Sequence, residues 1–445
     1  MQDTPSSEAS ASNAGPTPSA KEPPLSRWQR LGLLTLLQGG IQAISIATGF
    51  LLIRWLTKTD FAWYTLGNSS TAVFTTLVDP GTGLGMQSVG GKVAAEPARF
   101  RQALASVLSL RWRLGWVAAL LALPIPLGML LVNDAPLPIA LAILGANVLG
   151  FFAVLTNGTL SAALKLQGRF RQALLSDFAA VIARLLLVGA AALFWLDAIA
   201  ATLAAVIATA WQYLILKNAS AEWRQGQPQP SSDDQTQLLQ QVRSMRFYNL
   251  FQFIQGQVGV WLLSIMANVA AVADFGALSR LGSVFAALTL LYYQLVIPIL
   301  SRSQTTRILT GRLTLSITAY VAAVVIFAVA GWLGADWILW LFGADYAHLT
   351  KEVPWMIVFQ GIYSFTVILW WFNTSRGWVG LSRLNPPFTA LVQLAAYFAL
   401  RPDSVQGIIW FSMATLVPSL LLGLSASVSG LKRMARTAEV SSKNV

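Results

Sequence analysis

Residues 31–53 read LGLLTLLQGGIQAISIATGFLLI and contain no charged residue. A helix needs about 20 mostly apolar residues to cross the hydrocarbon core of a bilayer. This stretch is therefore predicted to be a transmembrane helix, and the same criterion finds eleven more along the chain. The twelve predicted spans lie near residues 31–53, 61–78, 113–132, 137–163, 173–195, 198–217, 247–267, 274–300, 312–333, 354–374, 386–400 and 404–430.

The composition indicates an all-α integral membrane protein. Of the 445 residues, 55% are hydrophobic and 11% are charged, whereas charged residues make up about 25% of a soluble globular chain. The 17 Trp, 22 Phe and 9 Tyr residues are typical of proteins that place aromatic rings at both lipid–water interfaces. Cysteine is absent and His348 is the only histidine, so we expect neither a cofactor nor a metal site.

The distribution of basic residues predicts the orientation of the spans. Cytoplasmic loops are enriched in Lys and Arg, and with both termini inside, all but six of the 30 basic residues fall on the cytoplasmic side. The exceptions are Arg54, Lys58, Lys351 and Arg401 on the opposite side, and Arg184 and Arg280 within spans. This topology accounts for the net charge of +12 without a nucleic-acid partner. We predict a multi-pass membrane protein with both termini in the cytoplasm.

The spans divide into two groups of six. Residues 1–26 are rich in Ser, Pro and Ala and cannot bury enough apolar surface to fold, so a disordered cytoplasmic tail is predicted there. We expect an N-terminal lobe at 27–217, a cytoplasmic inter-lobe loop at 218–246, a C-terminal lobe at 247–430 and a basic cytoplasmic tail at 431–445. Six-span halves in transporters are often repeats around a site near the midplane of the membrane.

Two arginines lie inside predicted spans, where an ionisable group is costly and often functional. Arg184 lies near the middle of the fifth span, and Arg280 lies in the eighth span, close to its outer end. Each side chain could instead extend to the interface or pair with a carboxylate, and for Arg184 both interpretations stay open. For Arg280 substrate binding is favoured, because its helix carries other polar residues on the same face.

Four spans carry a polar stripe along one helix face, with members three or four residues apart or at multiples of that spacing. The stripes consist of Gln38, Gln42, Ser45 and Gly49; Asn68, Ala72, Thr75 and Asp79; Asn249, Gln252, Gly256 and Gly259; and Arg280, Ser283, Ala287 and Gln294. A single stripe is explained better by hydrogen bonds between packed helices. Because spans one, two, seven and eight carry them, two from each half, together they favour a water-filled cleft between the lobes.

Three segments resemble the oligosaccharide and polysaccharide flippases of the multidrug, oligosaccharidyl-lipid and polysaccharide exporter superfamily. RWLTKTDFAWY at 54–64 is similar to the family's R-x-L-x-x-x-x-F-G-x-Y segment, with Ala62 in place of the usual glycine. ADFGALSRL at 273–281, followed by IPILSR at 297–302, resembles the family's eighth helix and its P-x-x-S-R exit. LFGADY at 341–346 is similar to the L-F-G-x-x-Y loop before the tenth helix.

The resemblance implies two six-helix lobes in a V around a central cationic cavity, with alternating access to the two sides. It implies a flippase of the bacterial plasma (inner) membrane. Such a protein moves a polyprenyl-pyrophosphate-linked oligosaccharide from the inner to the outer leaflet, for cell-surface polysaccharide synthesis of the O-antigen or exopolysaccharide type. The expected partners are that lipid-linked glycan, membrane lipids and polysaccharide polymerase machinery. Together with the stripes, the resemblance predicts ten substrate-binding side chains, namely Arg280, Arg184, Arg54, Gln38, Gln42, Asn68, Asp79, Asn249, Gln252 and Gln294.

Two other functions stay open. A cation-coupled multidrug exporter of the same superfamily would be expected to carry acidic residues inside its lobes, and Asp79 and Asp177 are the candidates. A membrane glycan ligase or polymerase usually needs a sizeable outer loop that carries catalytic groups. The longest predicted outer segment, residues 334–353, is short, so an enzyme is the least favoured of the three and no catalytic residue is predicted.

Overall fold

A computed structural model describes residues 27–82, 85–226, 228–301, 303 and 305–443. Within these ranges the chain is helical apart from short connections. The predicted tail at residues 1–26 lies outside the described residues, so its disorder stays a prediction.

The helices are numbered in chain order. The N-terminal half contains α1 (Arg27–Trp55), α2 (Lys58–Thr82), α3 (Gly85–Ser88), α4 (Pro97–Ala122), α5 (Pro124–Val132), α6 (Leu137–Leu166), α7 (Phe170–Phe194), α8 (Ala198–Ala219) and α9 (Ala221–Arg224). The C-terminal half contains α10 (Ser232–Met266), α11 (Val269–Ser279), α12 (Gly282–Leu291), α13 (Ile297–Ser301), α14 (Thr306–Leu333), α15 (Ala335–Phe342), α16 (Glu352–Ser375), α17 (Asn385–Leu400) and α18 (Val405–Lys443). Short 3₁₀ helices lie at Gly90–Val93, Ala344–Leu349 and Gly380–Leu384, and a π-helical turn lies at Tyr292–Val296.

The twelve predicted spans are confirmed by the fold. The third span consists of α4 and α5, and the eighth consists of α11, α12, a π turn and α13. In the described part of the chain, nine spans are long and apolar enough to cross a membrane by length and composition. The other three are α2 and α10, which carry polar residues along their length, and α17, which has 16 residues. The last helix, α18, continues through the predicted basic tail to Lys443.

The third span is longer than predicted. Its expected start is near residue 113, but α4 begins at Pro97. Proline in the first turn of a helix sacrifices no hydrogen bond, and Phe100, Leu104 and Val107 on the additional turns are buried. The extension is therefore an amphipathic helix that packs on the N-terminal lobe, although its arginines make it too polar to be recognised as part of a span.

Much of the predicted inter-lobe loop at 218–246 is helical, because α10 begins at Ser232. Ser231 caps this helix through a long hydrogen bond from the backbone N–H of Asp234 to its hydroxyl oxygen, at 3.5 Å. Asp233 and Asp234 in the first turn complement the positive end of the helix dipole. Leu238 is buried in the N-terminal lobe, so this polar segment packs rather than forming a loop.

The two lobes share one hydrophobic core, on a single side of the molecule. We call the face with the start of α1 and the end of α18 the inner face, and the opposite face the outer face. In the shared core the rings of Phe50 and Phe342 lie 5.4 Å apart, and Phe61 meets Tyr346 edge-on at 6.5 Å. The other buried clusters belong to one lobe each, apart from contributions of α10 to the N-terminal lobe. The lobes are therefore closed against each other at the outer face.

Candidate functional site

Two arginines and a tyrosine meet at the contact between the lobes. Arg184 on α7 donates a hydrogen bond to the hydroxyl of Tyr64 on α2. Arg280, at the end of α11, lies within electrostatic and hydrogen-bonding reach of the same hydroxyl. Tyr64 is buried and both arginines are partly buried. We call these three residues the central cluster; it joins two helices of the N-terminal lobe to one of the C-terminal lobe.

The two arginines of the central cluster lie at matching depth. Arg184 is ten residues from the outer end of α7 at Phe194, and Arg280 is eleven residues from the outer start of α11 at Val269. At 1.5 Å per residue these separations are about 15 Å and 16 Å, which is close to half of the ~30 Å hydrocarbon thickness. The cluster therefore lies near the midplane, at the inner edge of the closed outer half.

No described carboxylate neutralises the central cluster. Among the described residues the ion pairs do not include Arg184 or Arg280, and the Nε atom of each is buried without a hydrogen-bond partner. Asp274, six residues before Arg280, pairs with Lys58 instead. A guanidinium presents its N–H donors in a planar fork that matches phosphate or carboxylate oxygens. Two adjacent forks are thus suited to an anionic group.

Helix α1 passes alongside the central cluster. The Nε2 atom of Gln42 donates a hydrogen bond to the backbone oxygen of Ser283 at 3.1 Å, which links the lobes one turn beyond Arg280. A Cβ atom on Gly49 would lie 3.7 Å from Cδ of Arg280, an ordinary van der Waals distance, so α1 packs beside the side chain of this arginine. Of the ten predicted substrate-binding side chains, the structure brings Arg184, Arg280 and Gln42 into one region.

The other predicted side chains are placed elsewhere or are not described. Arg54 lies at the outer end of α1, where it donates a hydrogen bond to the backbone oxygen of Trp340 at 2.9 Å and covers the indole ring of that residue. Arg54 therefore connects the lobes, but it lies near the outer face, whereas the central cluster lies near the midplane of the membrane. Gln38 is partly buried and Asn68 is exposed. The predicted side chains that lie outside the described ones are Asp79, Asn249, Gln252 and Gln294.

A second group of polar residues connects the two lobes at the closed outer face. Nζ of Lys58 on α2 lies 2.7 Å from Oδ1 of Asp274 on α11, and the other carboxylate oxygen lies 3.0 Å from Nε2 of His348. Lys58 also lies over the ring of Tyr346, 5.5 Å from its centroid. Burial raises the pKa of Tyr346, and the carboxylates of Asp274 and Asp345 raise it further, so this ring stays a neutral phenol. We call Lys58, Asp274, His348 and Tyr346 the outer latch.

Tyr64 and Lys58 were not among the predicted site residues, although both lie in the RWLTKTDFAWY segment. That segment packs against the second segment of the resemblance, ADFGALSRL. A Cβ atom on Gly276 would lie only 2.9 Å from the side chain of Thr65, so this glycine lets α11 approach α2 closely. The motifs could have indicated both residues from the sequence, because residues of two motifs that pack against each other are candidates for one site.

A separate cavity of about 680 Å³ lies inside the N-terminal lobe. The carboxylate of Asp177 accepts a hydrogen bond from Nε2 of Gln212 at 2.6 Å, and Oε1 of Gln212 accepts one from Asn157 at 3.1 Å. Lys165 also lines this cavity. Asp177 is thus an acidic side chain inside a lobe, which is the feature that the drug-exporter alternative requires.

Neither a family model nor a curated protein matches the sequence. Solved structures do match the fold. The inward-facing conformation of a multidrug resistance MATE family transporter of the MOP superfamily has a TM-score of 0.72 at 13% identity, over 89% of this chain and 96% of that chain. An outward-facing conformation of such a transporter has a TM-score of 0.61 at 14% identity, over 92% and 96%. A MOP superfamily transporter from Pyrococcus furiosus, described as having a binding pocket of reverse polarity that suggests a different function, has a TM-score of 0.59 at 15% identity, over 91% and 95%.

These likenesses establish the fold, which has twelve spans in two lobes as in the matched transporters. They do not identify the glycan-flippase subtype. Two of the three structures are named as multidrug resistance transporters, which fits the multidrug-exporter alternative better than the favoured flippase. All three are transporters, which is consistent with the prediction that this chain is not an enzyme. The higher similarity to the inward-facing conformation agrees with the closed outer face.

Proposed function

We propose that this protein is an alternating-access transporter whose central cluster binds the anionic head group of an amphiphilic substrate. The substrate is a lipid-linked oligosaccharide of the polyprenyl-pyrophosphate type, moved from the inner to the outer leaflet for cell-surface polysaccharide synthesis. The observation that carries this proposal is the pairing of Arg184 and Arg280 around Tyr64, near the midplane and without a described carboxylate partner.

A pyrophosphate-linked sugar needs such a site because its head group is charged and strongly hydrated. Ionised groups are very costly to bury in hydrocarbon unless they are paired, while the polyprenyl tail never has to leave the lipid. Charge-assisted hydrogen bonds from the guanidinium groups of Arg184 and Arg280 would replace the water around the phosphate oxygens. Neither Nε–H group has a hydrogen-bond partner among the described residues, so each is a donor left over for a ligand once the lobes separate.

Because the outer face is closed, the transport cycle in this proposal begins on the inner side. The head group enters the cleft from the inner side while the outer latch and the aromatic contacts between the lobes are intact. Release to the other side requires these contacts to separate, including the ion pair of Lys58 with Asp274 and the hydrogen bond of Gln42 with Ser283. Two arginines rather than a dense cationic cluster keep the binding modest enough for release.

A cation-coupled multidrug exporter is the second candidate, and two observations favour it. The solved structures named above include multidrug resistance transporters. Asp177 lines a cavity of about 680 Å³ inside the N-terminal lobe, where a carboxylate can exchange a proton or hold a cation. Against it stands the positive central cluster, which repels a cationic drug at the contact between the lobes.

Purified protein in liposomes separates the two candidates. One assay follows flipping of a polyprenyl-pyrophosphate oligosaccharide that carries a fluorescent sugar, through quenching by a reductant that does not cross the membrane. The other follows ethidium transport driven by a proton or sodium gradient. We expect flipping of the glycan lipid, no flipping of the matched polyprenyl glycoside without phosphates, and no ethidium transport. Ethidium transport without glycan flipping would replace the proposal with the second candidate.

A further inference from the structure

The C-terminal lobe contains a cavity of about 310 Å³ between α10, α16, α17 and α18. This volume is at the lower end of the range of small-molecule sites. Its lining includes amides, hydroxyls and aromatic rings, and none of the lining residues carries a charge. It therefore differs from both the cationic central cluster and the N-terminal cavity of Asp177, and it suits a polar but uncharged ligand.

Several polar groups of this cavity are unused. The Oδ1 atom of Asn385 accepts hydrogen bonds from Thr389 and Ser419, each at 3.1 Å, while its Nδ2 has no partner among the described residues. Gln255 accepts a hydrogen bond from Gln393 at 2.7 Å through Oε1, which likewise leaves its Nε2 without a described partner. Both amide groups belong to residues that line the cavity, so they can donate hydrogen bonds to a ligand that carries acceptors.

Aromatic side chains form other parts of the wall. Tyr363 and Trp370 on α16 are 50% and 39% exposed, although both line this cavity within a transmembrane helix. Trp378 lies at the inner end of the cavity. The faces of aromatic rings carry partial negative charge, so the C–H groups on one face of a pyranose ring stack well against them. Ring faces next to amide donors and acceptors are the combination that recognises a neutral sugar.

The cavity begins close to the central cluster. Gln360 on α16 packs against Gly282, where a Cβ atom would lie only 2.6 Å from the side-chain amide. Gly282 starts α12, two residues after Arg280. Gln360 and Tyr363 are three residues apart and so share a helix face, about 4.5 Å apart along the axis. One turn of α16 thus separates the surroundings of Arg280 from the wall of the cavity.

We propose that this cavity, which includes Gln255, Tyr363, Trp370 and Asn385, binds an uncharged sugar ring of the glycan whose charged linkage is held by Arg184 and Arg280. The assignment rests on the proposed transport of a lipid-linked glycan. It adds a recognition element for the sugar itself, on the C-terminal lobe, that is independent of the charge of the head group.

A cysteine-protection experiment tests this assignment without measuring transport. The chain has no cysteine, so Ser382→Cys places a single thiol in the lining of the cavity, and Ser232→Cys places one on an exposed matched serine. The alkylation rate of each thiol is measured in lipid nanodiscs with octyl glucoside or with octyl tetraethylene glycol at equal concentrations below their critical micelle concentrations. We expect the glucoside to slow alkylation of the Ser382→Cys thiol at least about fivefold, close to 1 kcal/mol, and to leave the Ser232→Cys thiol unchanged.

Combining Ser382→Cys with Tyr363→Ala should abolish protection by the glucoside. The matched change Phe398→Ala, at an exposed ring on α17 outside the cavity lining, should preserve it. Equal protection by the ethoxylate would show that the cavity takes an alkyl chain, and no protection by either would remove the sugar site; each result overturns the proposal. Protection by tetraphenylphosphonium instead of the glucoside would also overturn it, since aromatic rings bind organic cations. Glucoside protection in a protein that fails to flip the glycan lipid would refute the proposed function alone.

Discussion

Arg184 and Tyr64 are 120 positions apart in the chain, yet the guanidinium of one donates a hydrogen bond to the hydroxyl of the other near the midplane. The tyrosine ends the RWLTKTDFAWY segment, and the arginine lies in the fifth span. Arg280 of the opposite lobe lies near enough to interact electrostatically with the same hydroxyl. Tyr64 therefore contributes the hydroxyl at which the two arginines, one from each lobe and both proposed to bind the substrate, come together.

Replacing Tyr64 by phenylalanine should weaken transport while the protein still folds. The change removes only the hydroxyl, so the ring packing of this buried residue is kept, whereas Arg184 loses its described partner. A hydrogen bond to a charged group contributes about 1.5–3 kcal/mol, which corresponds to a decrease in flipping rate of about tenfold or more. The flipping assay in liposomes measures the change, and thermal unfolding serves as the stability control. A fully active Tyr64→Phe protein would show that the hydroxyl does not position the arginines.

Closing the outer face by a disulfide should stop transport reversibly. Nδ2 of Asn133, in the loop before α6, lies 2.6 Å from Oγ of Ser264 near the outer end of α10, so the two side chains meet across the lobes. Because the chain has no cysteine, the double variant Asn133→Cys, Ser264→Cys carries one possible disulfide. We expect oxidation to abolish flipping and a reductant to restore it, with both single variants unaffected. Undiminished transport by the oxidised, cross-linked protein would exclude alternating access through this face.

Lys58→Met should favour opening of the outer face. The substitution keeps much of the side-chain length but leaves Asp274, which is buried, without its cation. Breaking a buried ion pair costs about 3–5 kcal/mol, and since Lys58 is partly exposed we expect about 1–2 kcal/mol here, near a tenfold shift in population. Alkylation of a single Ser264→Cys thiol from the outer side should accelerate accordingly. Lys351→Met, at an exposed outer lysine, is the control, and an equal rate in both variants would contradict the latch.

The helices could be predicted because the bilayer sets the length of each apolar span and the side on which basic loops lie. The site could be predicted only in part, because it depends on packing between segments that are distant in sequence. Gln42, Arg184 and Arg280 could be selected as polar groups inside apolar spans. Arg54 belongs to the same motif as Tyr64, but no sequence rule reveals that it bonds to the backbone of Trp340, 286 positions away. The helix after Ser231 was missed for a similar reason. Its first turns are mostly polar, and only the contact of Leu238 with the N-terminal lobe shows what this segment buries.

Both chain termini should lie in the cytoplasm. Twelve spans place the start of α1 and the end of α18 on one face, and the excess of Lys and Arg in segments on that face predicts that it is cytoplasmic. Reporter fusions after residues 26 and 432 measure the location of each end directly. An alkaline phosphatase fusion that is active at either position would place that end outside the cell and reverse the assignment of the inner face.

Arg280→Ala should abolish flipping without preventing insertion into the membrane. The carboxylate nearest to it in sequence, Asp274, is engaged by Lys58 and His348. The buried Nε of Arg280 has no hydrogen-bond partner among the described residues, so the alanine variant breaks no described ion pair. An arginine near the middle of a span costs about 2.5–3.5 kcal/mol on insertion scales, so its removal should not impair insertion. Arg280→Lys should restore activity in part, since lysine keeps the charge but lacks the planar fork that holds two phosphate oxygens.

Arg113→Ala, at an exposed arginine of α4, is the matched control for loss of a positive charge. Flipping assays and membrane immunoblots of the three variants decide the role: normal flipping by Arg280→Ala would exclude the residue from the site, and loss of the protein from the membrane would assign it a structural role.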